Sequence, residues 1–410
     1  MDLKRHDHTD WLIHFVRNRN SAQDFPGQSE RESEHHIGGE LERDAKAFEV
    51  LKAIIRLGGI KPGYSFRKGR TTIYGGKPAV CATEMPLHAF ATYARERASA
   101  GNVSAYGIAF LKSEFFAAGG RPAIYGLSTE NVTYSQNTET RRIMDDSVLP
   151  KREQYRYVAH NPKHATRPID WSHEREWRWV SQDPDLDEVW MKDYDGALGP
   201  VPALPIFKGN LEGRSFSKVC ILVWSNKEAE SIRRLLTGIY LSGHNNYDTP
   251  FDRKLIQRAR IIVLDDVVNA VEKDRAIDAQ TIEGLEEAKL LQPITIAAPP
   301  ANASKIVAHA FSAAEKAAKT ADAKYTAKHG GYISGYGYAH ITTTDTTDPI
   351  VQHLLSTGQA SGPFDGEVRI NVPGATGSRD LDRAEAVNTA IADVLGKKLG
   401  IDVYIVIRED

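Results

Sequence analysis

Two glutamates, two arginines, a histidine and three tryptophans stand within nine consecutive residues, in the segment WSHEREWRW. Carboxylates are costly to bury without partners, and tryptophan is costly to leave in water. If EREWRWV is a β-strand, the alternation of side chains places Glu174, Glu176 and Arg178 on one face. The other face then carries the remaining arginine and two indoles: Arg175, Trp177 and Trp179.

Two carboxylates separated by one residue repel each other, so one of them titrates high unless a cation neutralises it. His173, Arg175 and Arg178 are the cations close in sequence. A carboxylate pair of this kind can polarise a hydroxyl or stabilise a cationic transition state. Alternating charge is also common on solvated strand faces, and the pattern taken alone favours that second interpretation.

Other residues able to do chemistry stand in apolar surroundings. His14 lies within the run LIHFVR, where a single histidine is usually a core residue with its polar groups satisfied. Thr83 and Glu84 end an apolar strand just before a proline turn. The stretch YGIAFLKSEFF joins aromatic and polar side chains: Tyr106, Phe110, Lys112 and Ser113. None of these stretches is specific by itself.

Metal ligation is the alternative raised by the histidines near the N-terminus. The candidate ligands are His6, Asp7, His8, Asp10, His35 and His36. A metal needs several ligands that converge at fixed distances, and alternating histidines in a polar terminus are more often solvated. We therefore predict no metal site. Cys81 and Cys220 lie in apolar runs and are predicted to be buried, reduced thiols rather than nucleophiles or disulfide partners.

The composition is that of a globular protein. The chain has 410 residues, of which 41% are apolar and 26% charged, with a formal net charge of −2. That charge provides no global attraction to nucleic acid or anionic membrane, although a local basic groove stays open. No run approaches the ~18 apolar residues of a membrane span, and the N-terminus has no apolar core of a signal peptide. The sequence predicts a cytoplasmic protein that does not bind membranes.

The pattern of elements predicts two domains. In residues 1–293 strands outnumber helices and do not alternate regularly with them, which favours the α+β class. The segment ITIAAPPANAS, residues 294–304, reads as a linker because two adjacent prolines end a helical run. Residues 305–410 alternate helix and strand, which predicts a small αβ domain with helices on one face.

Five short segments, taken in order, resemble a known family. They are HFVR, VLKAIIRLGGIKP, VCATEMPL, YGIAFLKSEFFAAGGRPAIYG and WSHEREWRW. In this order they resemble the AbiGi abortive-infection family of bacterial phage-defence proteins and, more distantly, DarT-type ADP-ribosyltransferases. The resemblance covers about residues 8–270 and does not extend to the C-terminal domain.

The resemblance implies an ADP-ribosyltransferase-like split β sandwich that binds NAD in a central cleft. It implies that Glu176 stabilises the oxocarbenium ion formed as nicotinamide leaves, that Glu174 assists the acceptor, and that His14 contacts the nicotinamide ribose. The candidates for stacking on nicotinamide are Tyr106, Phe110 and Ser113. Those for the pyrophosphate are Arg17, Lys112 and Arg121, and Thr83 is counted with the NAD-binding residues.

The implied activity is transfer of ADP-ribose from NAD to nucleic acid, to protein or to water. The C-terminal domain would sense a phage-derived trigger, bind a target or mediate homo-oligomerisation. A second hypothesis uses the same fold without catalysis, as an antitoxin or phage-sensing regulator that binds a cognate toxin or another partner.

Overall fold

The structure, a computed structural model, describes most of the chain. The described residues are 9–19, 44–67, 70–99, 106–126, 132–134, 142–164, 168–183, 187–192, 198–208, 216–245, 247, 249–275, 277–279, 281–294, 296–330, 333, 335–364, 366–375 and 380–409. The chain divides into two compact units, residues 1–232 with 247–294 and residues 233–246 with 295–410. The continuous part of the second unit therefore begins at residue 295, within the segment that the sequence predicts as a linker.

The described elements of residues 1–294 are mostly short strands. The strands are β1 (Trp11–Val16), β2 (Gly59–Ile60), β3 (Phe66–Arg67), β4 (Arg70–Thr71), β5 (Val80–Thr83), β6 (Tyr106–Leu111), β7 (Arg121–Pro122), β8 (Ile124–Gly126), β9 (Val132–Tyr134), β10 (Arg142–Met144), β11 (Tyr157–Ala159), β12 (Glu176–Trp179), β13 (Glu188–Lys192), β14 (Leu198–Pro202), β15 (Leu204–Pro205), β16 (Val219–Val223), β17 (Arg260–Val263) and β18 (Leu291–Pro293). The helices are α1 (Ala47–Leu57), α2 (Leu87–Ser99), α3 (Lys112–Ala117), α4 (Asn226–Ser242), α5 (Arg253–Arg258), α6 (Leu264–Lys273) and α7 (Ile282–Glu287).

One sheet organises the first unit. Its eight described strands follow the order β18-β17-β16-β6-β1-β5-β12-β7. Neighbouring strands are antiparallel throughout, except that β16 and β17 run parallel. Mixed helix and strand with a mainly antiparallel sheet confirms the predicted α+β class. The finer ADP-ribosyltransferase-like sandwich stays a prediction.

Helices cover both faces of this sheet. On one face, side chains of α2 and α6, including Phe90, form a cluster with Trp11 and Ile13 of β1. On the other face, Phe110 of β6 stacks on Phe115 of α3 with ring centroids 5.1 Å apart. The interior strand β16, with sequence VCILV, is buried at every position, as its unbroken apolar run indicates.

The continuous part of the second unit, residues 295–410, forms a small αβ layer. Its described elements are α8 (Ala303–His329), β19 (Gly337–Thr343), α9 (Pro349–Ser356), β20 (Ala360–Phe364), β21 (Glu367–Ile370), α10 (Leu381–Leu399) and β22 (Tyr404–Glu409). After α8, the order is βαββαβ, and the antiparallel sheet has the strand order β20-β21-β19-β22. This topology is that of the ferredoxin-like fold. Side chains of α8 and α10 pack with those of the sheet in one core.

Both cysteines are free thiols, as predicted. Cys220 is buried in β16, and Cys81 is partly covered in β5. Across the described helices, none is both long and apolar enough to cross a membrane.

Candidate functional site

The register of three strands decides which side chains share a face. Ile13 of β1 lies opposite Thr83 of β5, and Thr83 lies opposite Glu176 of β12. Directly opposed residues point to the same side of a sheet, and successive residues point to opposite sides. We call the side that carries Thr83 and Glu176 the Glu176 face. The other side, which carries the neighbouring Trp177, is the Trp177 face.

Glu176 is held by an arginine on its own strand. Arg178 Nε lies 2.9 Å from Glu176 Oε1, and Arg178 Nη2 lies 3.0 Å from Oε2, so the pair is bidentate. The Arg178 Nη1 group also donates to the backbone carbonyls of Tyr155 and Tyr157 at 2.7 and 3.0 Å. Burial lowers the pKa of Arg178, but Glu176, with smaller contributions from Cys81 and Tyr125, raises it above its ordinary value. The guanidinium stays charged and fixes the carboxylate.

Glu174 precedes the strand and does not belong to it. It ends a 3₁₀ turn, Ser172–Glu174, and Arg175 then takes a left-handed conformation with φ of 44°. The prediction of one strand through both glutamates is therefore wrong, because β12 begins at Glu176. The Tyr93 hydroxyl of α2 donates to Glu174 Oε1 at 2.8 Å, and the Thr83 hydroxyl donates to the Glu174 carbonyl.

Both carboxylates act on the same neighbouring groups. Burial raises the pKa of the Cys81 thiol well above its ordinary value, and the charges of Glu176 and Glu174 raise it further. Burial and the same two charges also raise the pKa of the Tyr125 phenol. The oxygen of that phenol accepts the Glu176 backbone N–H at 2.9 Å. The negative charges of Glu174 and Glu176 thus both act on Cys81 and Tyr125.

Aromatic rings form a row beside Glu174. The ring centroids of Phe15 and Tyr93 are 6.2 Å apart, those of Tyr93 and His173 are 5.7 Å apart, and those of His173 and Trp171 are 6.2 Å apart. We call these four residues the aromatic row. Planar rings offer stacking surfaces, and nearby carboxylates stabilise a cationic centre. The combination suits a substrate that has flat rings and develops positive charge.

His14 is directed away from this group. The residue follows Ile13, so the alternation of β1 directs its imidazole to the Trp177 face. His14 Nδ1 is 2.8 Å from the Cys81 carbonyl oxygen, which requires a proton on that nitrogen. Burial lowers the pKa of His14 below its ordinary value, so the ring is neutral. The register does not bring His14 to the Glu176 carboxylate, and its contact links β1 to β5.

The predicted pyrophosphate ligands are dispersed. Lys112 Nζ lies 2.9 Å from Glu84 Oε1 and 2.9 Å from the Thr9 carbonyl oxygen. The indole N–H of Trp177 donates to Glu84 Oε2 at 2.9 Å, so this cluster belongs to the Trp177 face. Arg121, opposite Arg178 on the edge strand β7, donates to the carbonyls of Phe116 and Gly120. Arg17 is exposed just after β1.

The predicted nicotinamide-stacking residues are likewise engaged elsewhere. Phe110 is fully buried between two phenyl rings, at 5.1 Å from Phe115 and 5.0 Å from Phe216. The Tyr106 hydroxyl donates to Glu228 Oε1 at 2.5 Å. Ser113 is exposed on α3. Among the predicted NAD-binding residues, Thr83 lies on the Glu176 face and donates a hydrogen bond to the Glu174 carbonyl.

Tyr93 was not singled out by the sequence patterns. It lies three residues after Phe90 on α2, and Phe90 is fully buried against the sheet. A residue three positions from a buried one shares the inward stripe of a helix. A tyrosine on such a stripe carries its hydroxyl group into a covered region, and this is the sequence feature that indicates Tyr93.

Within the described ranges, no group of three or more His, Cys, Asp and Glu side chains is arranged to hold a metal ion. Most of the histidine-rich N-terminal candidates lie outside the described residues: His6, Asp7, His8, His35 and His36.

No protein-family model matches the chain. A search of curated proteins and a search of solved structures likewise find no match. The likeness to AbiGi and DarT-type proteins therefore rests on the five segments alone.

Proposed function

We propose that the chain is an NAD-consuming ADP-ribosyltransferase of bacterial anti-phage defence, which releases nicotinamide and transfers ADP-ribose to a macromolecule. One observation carries the proposal. Glu176, at the start of β12, and Glu174, in the turn just before it, both act on the Cys81 thiol, and Glu174 accepts a hydrogen bond from Tyr93 of the aromatic row. The motif order of residues 8–270 provides the second line of support.

The reaction needs a fixed negative charge near the sugar. The bond between ribose C1′ and the nicotinamide nitrogen breaks, and its electron pair leaves with nicotinamide. The sugar becomes an oxocarbenium ion, and the acceptor then bonds to C1′ and loses a proton. Glu176 suits the stabilisation of that cation because Arg178 holds both carboxylate oxygens in place. Glu174, oriented by Tyr93, is assigned to the acceptor and its proton.

The chemistry of some residues near Glu176 suits parts of an NAD molecule. Tyr93 and Trp171 offer ring faces to nicotinamide or adenine, and the two glutamates suit the ribose hydroxyls. Lys112 and Arg121 are bound to other groups, so the proposal does not use them for the pyrophosphate.

The experiment is incubation of the full chain with NAD labelled in nicotinamide, with and without extract of phage-infected cells. Nicotinamide release by the native chain that disappears in Glu176→Ala and in Glu174→Gln supports the proposal. Variant Glu188→Gln, altered on the separate β13–β14 hairpin, is the control and should release nicotinamide at the native rate. Absence of release from the native chain in both conditions contradicts the proposal.

One observation favours a non-catalytic role instead. The Arg178 side chain joins Glu176 to the carbonyls of Tyr155 and Tyr157, so Glu176 also has a purely structural use. An antitoxin or phage-sensing regulator could use the same face to bind a partner. This second candidate predicts that a partner from infected cells binds, that nicotinamide is not released, and that Glu174→Gln alters binding only.

A further inference from the structure

Aromatic side chains line one face of strand β19 in the second unit. Ile341 of this strand packs in one core with side chains of α8 and α10. Successive strand residues point to opposite sides, so Tyr338 and His340 lie on the side away from those helices. We call that side the Tyr338 face. Tyr336, two residues earlier, continues the alternation, and its backbone forms a bridge with that of Asp380.

A third tyrosine lies across the same face. Tyr404 of β22 is opposite Thr342 of β19. Burial and the charge of Glu367 raise the pKa of the Tyr404 phenol above its ordinary value, which places the phenol near a carboxylate of β21. Because β19 lies between β22 and β21, the ring extends over β19 at Thr342, a residue that is fully buried. Flat rings therefore recur at every second residue of the strand, about 7 Å apart.

The Tyr338 face carries positive charge. Arg408 of β22 is exposed and lies directly opposite Tyr338. Burial and the charges of Arg369 and Arg408 lower the pKa of His340 below its ordinary value, so the imidazole is neutral while both arginines act on it. Residues 323–344, which lead into β19 and form it, include two lysines and two histidines but no aspartate or glutamate. Charge complementarity therefore favours an anionic partner.

Rings and cations together suit a single-stranded nucleic acid. Tyr336 is 61% exposed and Tyr338 is 37% exposed, so each ring can be covered by a partner. Unpaired bases stack on aromatic side chains, and basic side chains bind the phosphates between them. A duplex keeps its bases paired and stacked on each other, so it cannot use the rings in this way. The carboxylate of Glu367 lies near Tyr404, which puts the phosphate contact at the other end of the row, on Arg408.

Polar groups on the rings favour RNA over DNA. The tyrosine hydroxyls and the His340 imidazole can donate or accept a hydrogen bond, as can the ribose 2′-hydroxyl that DNA lacks. We propose that the Tyr338 face binds single-stranded RNA, with bases stacked on Tyr336 and Tyr338 and a phosphate bound by Arg408. This binding goes beyond the proposed function and needs no NAD, so either proposal can fail without the other.

Three forms of one nucleotide sequence test the choice of partner. The probe is a fluorescein-labelled RNA strand of about 12 nucleotides that contains all four bases and has no self-complementarity. The second form is the DNA strand of the same sequence, and the third is the RNA duplex. Fluorescence anisotropy with the full chain gives the affinities at several salt concentrations from about 0.05 to 0.2 M. We expect saturable binding of the RNA strand, and binding of the other two forms that is weaker by about threefold or more.

Two variants locate the binding. Tyr338→Ala should weaken the RNA strand by about fivefold or more, and Arg408→Gln should also lower the salt slope by about 1. The matched controls are Trp190→Ala, an exposed ring on the β13–β14 hairpin, and Lys305→Gln, an exposed cation at the start of α8. Both should bind like the native chain. Circular dichroism verifies folding, and Tyr336→Ala carries the test if Tyr338→Ala does not fold.

Three results would overturn the proposal. The first is the absence of saturable binding of the RNA strand below about 100 μM protein at the lowest salt. The second is equal affinity in the native chain and in the folded tyrosine variant, which would show that the rings do not touch the bases. The third is binding of the DNA strand or the RNA duplex as tightly as the RNA strand.

Discussion

Arg178 binds both carboxylate oxygens of Glu176 from two positions further along the same strand. The arginine side chain is 4% exposed and that of the glutamate 14%, so the pair is largely removed from water. Such a pair keeps its geometry only while both partners are present, because either charge alone would be poorly compensated. The relationship explains how a carboxylate can be fixed on a covered sheet face, and it gives the candidate site its rigidity.

Loss of the Glu176 charge should destabilise the fold. Glu176→Gln leaves the Arg178 guanidinium with its two carbonyl partners but without its counter-ion, and we expect a loss of about 2–4 kcal/mol in the free energy of unfolding. Urea denaturation measures it. The control is Asp265→Asn, which breaks the half-exposed Arg95–Asp265 pair and should cost less than about 1 kcal/mol. Equal costs for the two variants would show that the covered pair has no special role.

The turn between the two glutamates is under backbone strain. Arg175 has a φ of 44°, a region that glycine adopts readily and β-branched residues avoid. Arg175→Gly should therefore change stability by less than about 1 kcal/mol, while Arg175→Val should lower it by about 1–3 kcal/mol. Thermal unfolding compares the two. A valine variant as stable as the glycine variant would contradict the left-handed assignment.

His14 should make stability depend on pH. Burial holds the pKa of His14 in the folded chain below its ordinary value of 6.5, so the unfolded chain binds more protons below that pH. This contribution to stability is fully present above about pH 7 and is lost as the pH falls through 6.5 towards the folded pKa. His14→Gln keeps a donor for the Cys81 carbonyl and removes the titration.

The measurement is the melting temperature of the native chain and of His14→Gln between pH 7.5 and pH 5. We expect the native chain to lose more stability than the variant over that range. Parallel curves would mean that the imidazole is solvated, which would also remove its contact with β5.

The two thiols should resist alkylation in the folded chain. Burial raises the pKa of the Cys220 thiol to about 12 and raises that of Cys81 well above its ordinary value. Thiolates are the reactive species, so iodoacetamide at pH 8 should modify neither cysteine within an hour and both in guanidinium chloride. Intact-protein mass spectrometry counts the adducts. Rapid modification of Cys81 in the folded chain would show that burial and the nearby carboxylates do not raise the pKa of its thiol.

Local patterns predicted most of the elements around the site. The apolar run from Trp11 is typical of a strand and forms β1, and Gly58 with Gly59 is typical of a helix stop and follows α1. Alternation placed Trp177 and Trp179 together, and Trp179 is fully buried with its indole N–H on the Ala118 carbonyl. These signals concern a residue and its near neighbours, which is why they could be read without a fold.

What was missed depends on pairing between distant segments. The pairing of Ile13 with Thr83 and of Thr83 with Glu176 fixes the sheet face of each side chain. A shift of either pair by one residue would move the shifted side chains to the opposite face. No local pattern contains that register, so the sequence did not reveal whether His14 and Glu176 lie on the same face of the sheet. Strand β20, with sequence ASGPF, also carries little local strand signal because glycine and proline weaken a strand pattern.

The most direct test compares Glu174, whose carboxylate accepts a hydrogen bond from Tyr93, with Glu84, whose carboxylate accepts one from Trp177. Nicotinamide release from NAD is measured at saturating NAD for the native chain, for Glu174→Gln and for Glu84→Gln, with folding verified by circular dichroism. Because Glu174 lies with Glu176 and Glu84 lies with Trp177, we predict that Glu174→Gln lowers the rate by about 100-fold or more and that Glu84→Gln stays within about threefold. A large loss in Glu84→Gln with an unchanged rate in Glu174→Gln would place the chemistry on the Trp177 face and contradict the account.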